Sequence, residues 1–329
     1  MTDDFAAMVV IEDAWRWPES RGPSVVTIGN FDGIHIGQQA ILDQLVKRQR
    51  ATGLDSVMVT FEPHPQTVLR PNQSPPHLTT RSQKRALVER LGVATIAEVR
   101  FDEAFAETTA AQFVETFLHE KLQAVEVYVG SQFVFGRRKE GNLDLLQELG
   151  GSLGFEAFGV EEVVFDGRAV SSTRIRQAIH EGGVMDAAAM LGRAYSIYGT
   201  VVRGDGRGKL LGWPTINVAT AHELLPRDGV YASKAWLPAA GQLLNAVTNV
   251  GSRPTFSAGG QRVVESHLLD FDEQIYGKRV ELCFLERLRG EQAFPSAGAL
   301  TSQIEQDVGR AREYLQQENC LEFMPTIGE

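Results

Sequence analysis

VVTIGNFDGIHIGQ, residues Val25 to Gln38, decides how the first half of the chain folds. Val25-Val26-Thr27-Ile28 is a short β-rich run ending in Gly29, the pattern of a strand buried on both faces. Past Gln38, the residues Ile41, Leu42, Leu45 and Val46 fall on one helical face. A strand that runs through a glycine-rich turn into a helix is built to meet anions. The glycines let backbone approach a ligand closely, and the helix N-terminus offers free N–H groups and a partial positive charge. His35 adds a donor that can become cationic, and His35 and Gln38 share the first turn. The same residues also suit a plain strand-to-helix turn with a surface histidine.

Outward from this stretch the pattern alternates. Strands are expected at 56–61, 95–99, 125–129 and 156–160, with helices at 81–91, 111–122 and 143–149 between them. Such alternation implies a parallel sheet with helices on both faces, whose ligands lie beyond the carboxyl ends of the strands. The texture changes near Glu181-Gly182-Gly183. After a short helix at 185–191, six strand-like segments follow at 196–202, 215–218, 230–235, 244–250, 262–269 and 279–285. Gly and Pro separate them, as in an antiparallel barrel. A final helix at 296–316 carries the stripe Leu300, Ile304, Val308, Ala311, Leu315, and residues 320–329 read as a loose tail. The expected division is 1–185, 186–320 and a tail at 321–329.

Bulk properties narrow the function. A chain of 329 residues exceeds what one ordinary core serves. Net charge −10 disfavours a nucleic-acid partner, because phosphate backbones require basic surface. Cys283 and Cys320 have neither disulfide-framework nor zinc spacing. No stretch reaches the length of a membrane span, and the apolar run from Ala6 to Ile11 is too short for a signal-peptide core. A cytoplasmic protein with no nucleic-acid or membrane partner is expected, with self-association left open. His77, His119, His180 and His222 are read as surface or core residues.

A second anion-binding candidate is Ser171-Ser172-Thr173-Arg174-Ile175-Arg176. Ser171 or Ser172 can cap a helix, and Thr173 and Arg176 lie one turn apart. An ordinary capped helix with solvated arginines has the same sequence. GNFDGIHIGQ and SSTRIR together resemble the nucleotidyltransferase superfamily with HxGH and SSTxxR signatures. FEPHP (Phe61 to Pro65) and VGSQFVFGRRKEGN (Val129 to Asn142) are similar to the FMN adenylyltransferase module of bacterial bifunctional riboflavin kinase/FAD synthetases. The resemblance implies a Rossmann-like α/β nucleotidyltransferase domain in which His35, Ser172, Thr173 and Arg176 hold ATP phosphates. Gly29, Phe31, Asp32, Gly33 and Gln38 are further ATP-binding candidates, and His64 and Phe135 are flavin-binding candidates. Two positions depart from the family: Gln38 stands for a second histidine and Gln132 for an aspartate. Gln38 can donate a hydrogen bond but carries no charge. A charged hydrogen bond exceeds a neutral one by roughly 1–2 kcal/mol, about tenfold in rate. FMN phosphate is already an anion, so its attack on ATP needs alignment and charge neutralisation rather than a general base.

The second half holds Gly204-Asp205-Gly206-Arg207-Gly208-Lys209-Leu210-Leu211-Gly212-Trp213-Pro214-Thr215-Ile216-Asn217. Its spacing fails both the P-loop and GxGxxG patterns, which leaves a flexible lid over phosphates or a mobile hairpin loop. Thr215 and Asn217 alternate on a strand and so point to one face, a hydroxyl and an amide suited to Mg–ATP. Glu265 and His267 share one side of another strand, and a carboxylate at a barrel mouth is a general-base candidate. GKLLGWPTIN, DGVYA, NVGSRPTF, VESHLLDF and IYGK together resemble the riboflavin kinase module. The resemblance implies an antiparallel β-barrel with a C-terminal helix. Gly204, Gly208, Lys209, Pro214, Thr215 and Asn217 then bind ATP, Thr215 and Asn217 bind Mg2+, Glu265 is the catalytic base, and Arg289 approaches flavin.

The expected function is ATP-dependent conversion of riboflavin to FMN and of FMN to FAD, with Glu265 and His35 as the catalytic residues. The partners are riboflavin, FMN, FAD and ATP. Gln38 and Gln132 motivate an alternative, a riboflavin kinase with weakened or lost adenylyltransferase activity. A flavin or nucleotide sensor without chemistry would leave Thr215, Asn217 and Glu265 unexplained. A nucleotidyltransferase for another substrate would leave the second half unexplained.

Overall fold

A computed structural model describes residues 7–204, 206–252, 262–316 and 326. The chain divides into two compact units, Met1–Pro75 with Gln83–Val170, and Pro76–Ser82 with Ser171–Glu329. This division falls after Val170 rather than at 185/186, so the helices Ser172–Glu181 and Val184–Leu191 are grouped with the second unit.

The first unit is built on six strands, β1 (Val9–Glu12), β2 (Ser24–Ile28), β3 (Asp55–Glu62), β4 (Thr95–Arg100), β5 (Ala124–Gly130) and β6 (Glu156–Val160). Their order is β1-β4-β3-β2-β5-β6 and every pairing is parallel. All five residues of β2 are buried. Val26, Ile28, Val57, Val59, Val127 and Val129 point into one core, which is lined by Phe113, Phe117 and Leu146. Val25, Met58 and Ile96 point into the other, against Leu42 and Leu45 of the first helix, Ile36–Thr52. Two-sided burial explains why these strands read as continuous apolar runs. Strand β1, four residues at a sheet edge, carries little periodic signal in the sequence. Between β2 and β5 the strand order reverses, which is where such a sheet leaves a crevice beyond its carboxyl ends.

In the second unit a small hairpin's successor helices lead to a closed antiparallel barrel. The hairpin itself is β7 (Val164–Phe165) with β8 (Arg168–Ala169), in the first unit. The barrel strands are β9 (Tyr195–Val202), β10 (Ile216–Ala219), β11 (Gly229–Leu237), β12 (Gln242–Ser252), β13 (Arg262–Leu268) and β14 (Arg279–Arg289), ordered β10-β13-β12-β11-β14-β9. Closure removes the edges an open sheet would expose. The hydroxyls of Ser233, Thr248 and Ser266 are fully buried and linked at 2.7 and 2.9 Å, so none is left unsatisfied. On the opposite strand face Val230, Ala232, Val247, Cys283 and Leu285 pack with Val308, Ala311 and Leu315 of the terminal helix, Ala297–Leu315. Within the expected tail, Thr326 is 3% exposed. Its N–H and Oγ1 donate to Glu281, at 2.7 and 2.5 Å. Glu281 is itself fully buried beside Arg193, so a carboxylate that must be satisfied holds the threonine. The rest of 317–329, with Cys320, lies outside the described residues.

Candidate active sites

Three motifs of the first unit converge because parallel strands put their carboxyl ends on one edge. GNFDGIHIGQ follows β2, FEPHP spans the end of β3, and SQFVFGRRKEGN follows β5. The first of these carries unusual backbone. Phe31 has φ 48°, Gly33 96° and Ile34 45°, and non-glycine residues pay roughly 1–2 kcal/mol each for this region. The offset is visible: Phe31 and Ile34 are 2% and 1% exposed, and both sit in the core with Leu42 and Met58. Phe31, expected to bind ATP, therefore serves as a core anchor through its side chain. Asp32 and His35 are buried beside it. The Asn30 carbonyl accepts from Thr60 Oγ1 at 3.2 Å and from Lys84 Nζ at 2.9 Å. Lys84 had no sequence signal, since a lysine in RSQKRALVER reads as a solvated helix charge.

His35 caps the first helix. Its Nδ1 accepts from the Gln38 N–H, and Gln38 Oε1 accepts from the His35 N–H. His64 caps the helix Pro65–Leu69 in the same manner, its Nδ1 accepting from Gln66 N–H at 3.2 Å. Phe135 is buried, stacks on Phe133 at 5.4 Å and contacts Phe113. Gln132 is exposed. Ser171 is the N-cap expected of the SSTRIR motif, accepting from Arg174 N–H. Ser172 and Thr173 open that helix, and Arg176 Nε donates to the Pro76 carbonyl at 2.7 Å. This helix belongs to the second unit.

The barrel site is set by strand register. Asn217 of β10 pairs with Glu265 of β13, and Glu265 pairs with Asn249 of β12. Directly paired residues share a face, so a carboxylate stands between two amides. The face is the one that bears Val247 and His267, not the one that carries the buried Ser266 and Thr248 hydroxyls. The group expected at the barrel mouth thus lies on the outer wall, a few residues from the rim. Trp213 closes one side, its ring 5.2 Å from that of His267, whose Nδ1 lies 2.7 Å from the Pro214 carbonyl.

The glycine-rich segment lies against this wall. A Cβ on Gly204 would fall 2.2 Å from Asn217 Nδ2. One on Gly208 would fall 2.4 Å from the Trp213 carbonyl and 3.2 Å from Thr215 Oγ1. Close approach, rather than freedom as a lid, is what these glycines supply. Asp205 and the Lys209 side chain lie outside the described residues, as does 253–261, which includes the second half of NVGSRPTF.

Arg289 has a structural duty. Its guanidinium is paired with Asp307 of the terminal helix, with Nε at 2.8 Å, and lies over Phe294. Two rows on, Glu291 reaches the same wall: a Cβ on Gly251 would meet its Oε1 at 2.0 Å and Asn249 Nδ2 at 3.5 Å. Burial, then Asp228, pushes the Glu291 carboxyl up, against the pull of Arg262 and Arg289. Neither Glu291 nor Asn249 was singled out from sequence. Asn249 was legible in principle, lying opposite Glu265 on a neighbouring strand, whereas Glu291 lies beyond its strand and had no signal.

A family model described as FAD synthetase matches residues 18–174, and one described as riboflavin kinase matches 191–315. The bifunctional riboflavin kinase/FMN adenylyltransferase of Escherichia coli K12 is 36% identical over 290 residues, 88% of this chain and 92% of that protein. The protein of the same name from Pseudomonas fluorescens is 38% identical over 295 residues, covering 90% and 94%. A crystal structure described as a macrolide-efflux protein from Streptococcus pneumoniae superposes with TM-score 0.84 at 29% identity, over 93% of this chain and 99% of that one. No described helix of this chain is long and apolar enough to cross a membrane. With both domain models in order and relatives matched over nearly their whole length, the chain belongs to the bifunctional riboflavin kinase/FMN adenylyltransferase family.

Proposed function

We propose that this protein catalyses two successive ATP-dependent reactions. The barrel transfers the γ-phosphoryl group of ATP to riboflavin, giving FMN and ADP. The parallel-sheet unit joins the AMP part of a second ATP to FMN, giving FAD and pyrophosphate. The observation that supports this reading most is the Asn217–Glu265–Asn249 row, with Thr215 and the two close-packed glycines beside it.

Glu265 takes the proton from the ribityl hydroxyl as that oxygen attacks the γ-phosphorus. A half-buried carboxylate fixed by two strand pairings is held where it can act as a base. Gly204 and Gly208 allow backbone N–H groups to approach phosphates, with Lys209 and Pro214 completing the ATP-binding segment. Thr215 and Asn217 offer hard oxygen donors, and among the described residues no cluster of three or more His, Cys, Asp or Glu forms a protein-only metal cage. That donor set would suit Mg2+ arriving with ATP. When bound, the ion neutralises charge on the phosphates. Arg289 acts on the flavin side by fixing the segment that leads to Glu291.

For adenylylation, Gly29, Asp32, Gly33 and His35 line the helix N-terminus where ATP phosphates bind, with Phe31 anchoring the loop. Gln38 acts there too, and Ser172, Thr173 and Arg176 form a second anion-binding element. His64 and Phe135 lie on the flavin side. The functional limits we assign are 1–185 and 186–320. The protein works in the cytoplasm without nucleic acid or membrane. A kinase-only reading finds no support in the loop, whose strained backbone is fully anchored. Incubating the purified protein with riboflavin, ATP and magnesium and separating the flavins tests both halves: FMN and then FAD are expected. FMN without FAD removes the second activity, and no FMN removes the first.

A further inference from the structure

Position 38 holds glutamine, and the structure shows what its side chain does. The N-cap of the helix Ile36–Thr52 is normally a small hydroxyl or carboxyamide residue; here it is His35, with extended backbone at φ −74° and ψ 167°. His35 Nδ1 accepts from the Gln38 backbone N–H at 3.3 Å. A ring nitrogen that accepts a hydrogen bond carries no proton, so in the neutral imidazole the proton sits on Nε2. The Gln38 side chain returns the bond, its Oε1 accepting the His35 backbone N–H at 3.1 Å. Only the amide oxygen can fill that role, because the partner is a donor. The pair forms a reciprocal capping box in which an imidazole replaces the usual hydroxyl.

Gly37 supplies the remaining constraint. A Cβ there would lie 3.3 Å from both Cε1 and Nδ1 of His35. The ring therefore folds back over residue 37, and only glycine leaves it undisturbed. His35 is 8% exposed, so its ring has little room to adopt another pose.

We propose that Gly37 and Gln38 are positioning residues that hold the His35 ring as a fixed hydrogen-bond donor through Nε2. Gln38 acts on the nucleotide through His35, with its own acceptor committed to backbone. The catalytic consequence rests on the adenylyltransferase reading above; the geometry of the ring does not. The donor that meets a phosphate oxygen is then a neutral N–H whose direction is set before ATP arrives, which is how a pre-organised group lowers a barrier. Such a site would orient its donor without a second histidine.

The experiment uses the full chain with 15N-labelled histidine, the His35 signals being assigned by their loss in His35→Asn. Long-range 1H–15N correlation should show His35 protonated on Nε2 and accepting on Nδ1. Gly37→Ala, by crowding the ring, and Gln38→Ala, by loosening the N-cap that presents the residue-38 backbone N–H to Nδ1, should both shift or broaden this pattern, and Gln38→Glu, which keeps the acceptor, should preserve it. In FAD formation from supplied FMN, both disruptive variants should lower kcat by roughly tenfold while the KM for ATP stays within about twofold. A wild-type pattern with the proton on Nδ1 overturns the proposal. So does a Gln38→Ala enzyme whose KM for ATP rises severalfold at unchanged kcat, since that marks a direct ligand. If the wild-type enzyme makes no FAD at all, the adenylyltransferase reading fails instead, and the spectra alone decide the proposal.

Discussion

The two candidate sites of this chain are held in place by different means. In the parallel-sheet unit the working residues sit on loops beyond the strand ends, and the GNFDGIHIGQ loop keeps its shape through left-handed backbone offset by buried Phe31 and Ile34. In the barrel they sit on the strands, and ladder register alone fixes Asn217, Glu265 and Asn249 in a row. A register-held site resists small disturbances, because moving one member requires breaking a β-ladder. A loop-held site depends on several local tethers, each replaceable at a modest cost. The barrel should therefore lose activity abruptly when a member of the row is altered, and the loop should lose it in steps.

The largest expected effect is in the row. Glu265→Gln keeps the shape and the strand pairing but removes the base. Phosphorylation of riboflavin should fall by about a thousandfold, with riboflavin binding nearly unchanged and FAD formation from supplied FMN unaffected. Steady-state rates for the two half-reactions, measured separately, check this. A variant that still phosphorylates riboflavin at more than a tenth of the wild-type rate shows that the proton goes elsewhere.

The second effect separates the units by pH. His222 is buried, its Nε2 has no hydrogen-bond partner among the described residues, and burial lowers its pKa from 6.5 to about 4. A histidine with a lowered folded-state value is neutral in the fold while the unfolded chain takes up a proton. Its contribution is constant above pH 6.5, declines as the pH falls from 6.5 towards 4, and levels off below. At about 1.4 kcal/mol per unit the whole decline amounts to about 3 kcal/mol, an order-of-magnitude figure for a buried group. Thermal unfolding should show the barrel unit losing stability as the pH falls from 6.5 towards 4, and His222→Phe should flatten that dependence. An unchanged pH dependence in His222→Phe would assign the acid sensitivity to another group.

How much of this was legible in the sequence follows from the same contrast. Strands β2 to β6 and the barrel strands were readable because burial on one or two faces leaves a period in the residues, while β1, four residues at an edge, left none. Thr215 could be placed on one face with Asn217, and Glu265 with His267, because alternation along a strand is strict. What alternation could not say is which face, so the mouth and the outer wall looked alike. On the loops, residue identity gave the motif but not the duty. Phe31, an expected ATP contact, also carries its side chain into the core, and Arg289, an expected flavin contact at the end of β14, also pairs with Asp307. Thr326 was hidden in an apparent tail because one buried carboxylate, Glu281, specifies its position without any periodic pattern.

The smallest expected effect is at a loop tether. Lys84 Nζ lies 2.9 Å from the Asn30 carbonyl and 3.4 Å from Thr60 Oγ1, and Thr60 bonds the same carbonyl. Lys84→Met keeps most of the apolar stem and removes the ammonium, so Asn30 retains one donor of this pair. A hydrogen bond from a charged group contributes about 1.5–3 kcal/mol when fully formed, and the remaining Thr60 donor and the buried Phe31 and Ile34 should absorb part of that loss. FAD formation should fall by about tenfold, riboflavin phosphorylation should stay within twofold, and Lys84→Arg should recover part of the rate. Double substitution with Thr60→Val sharpens the comparison. If the loop is held in steps, the pair should cost more than either change alone; if Lys84→Met by itself already abolishes FAD formation, its ammonium touches the nucleotide and is no mere tether.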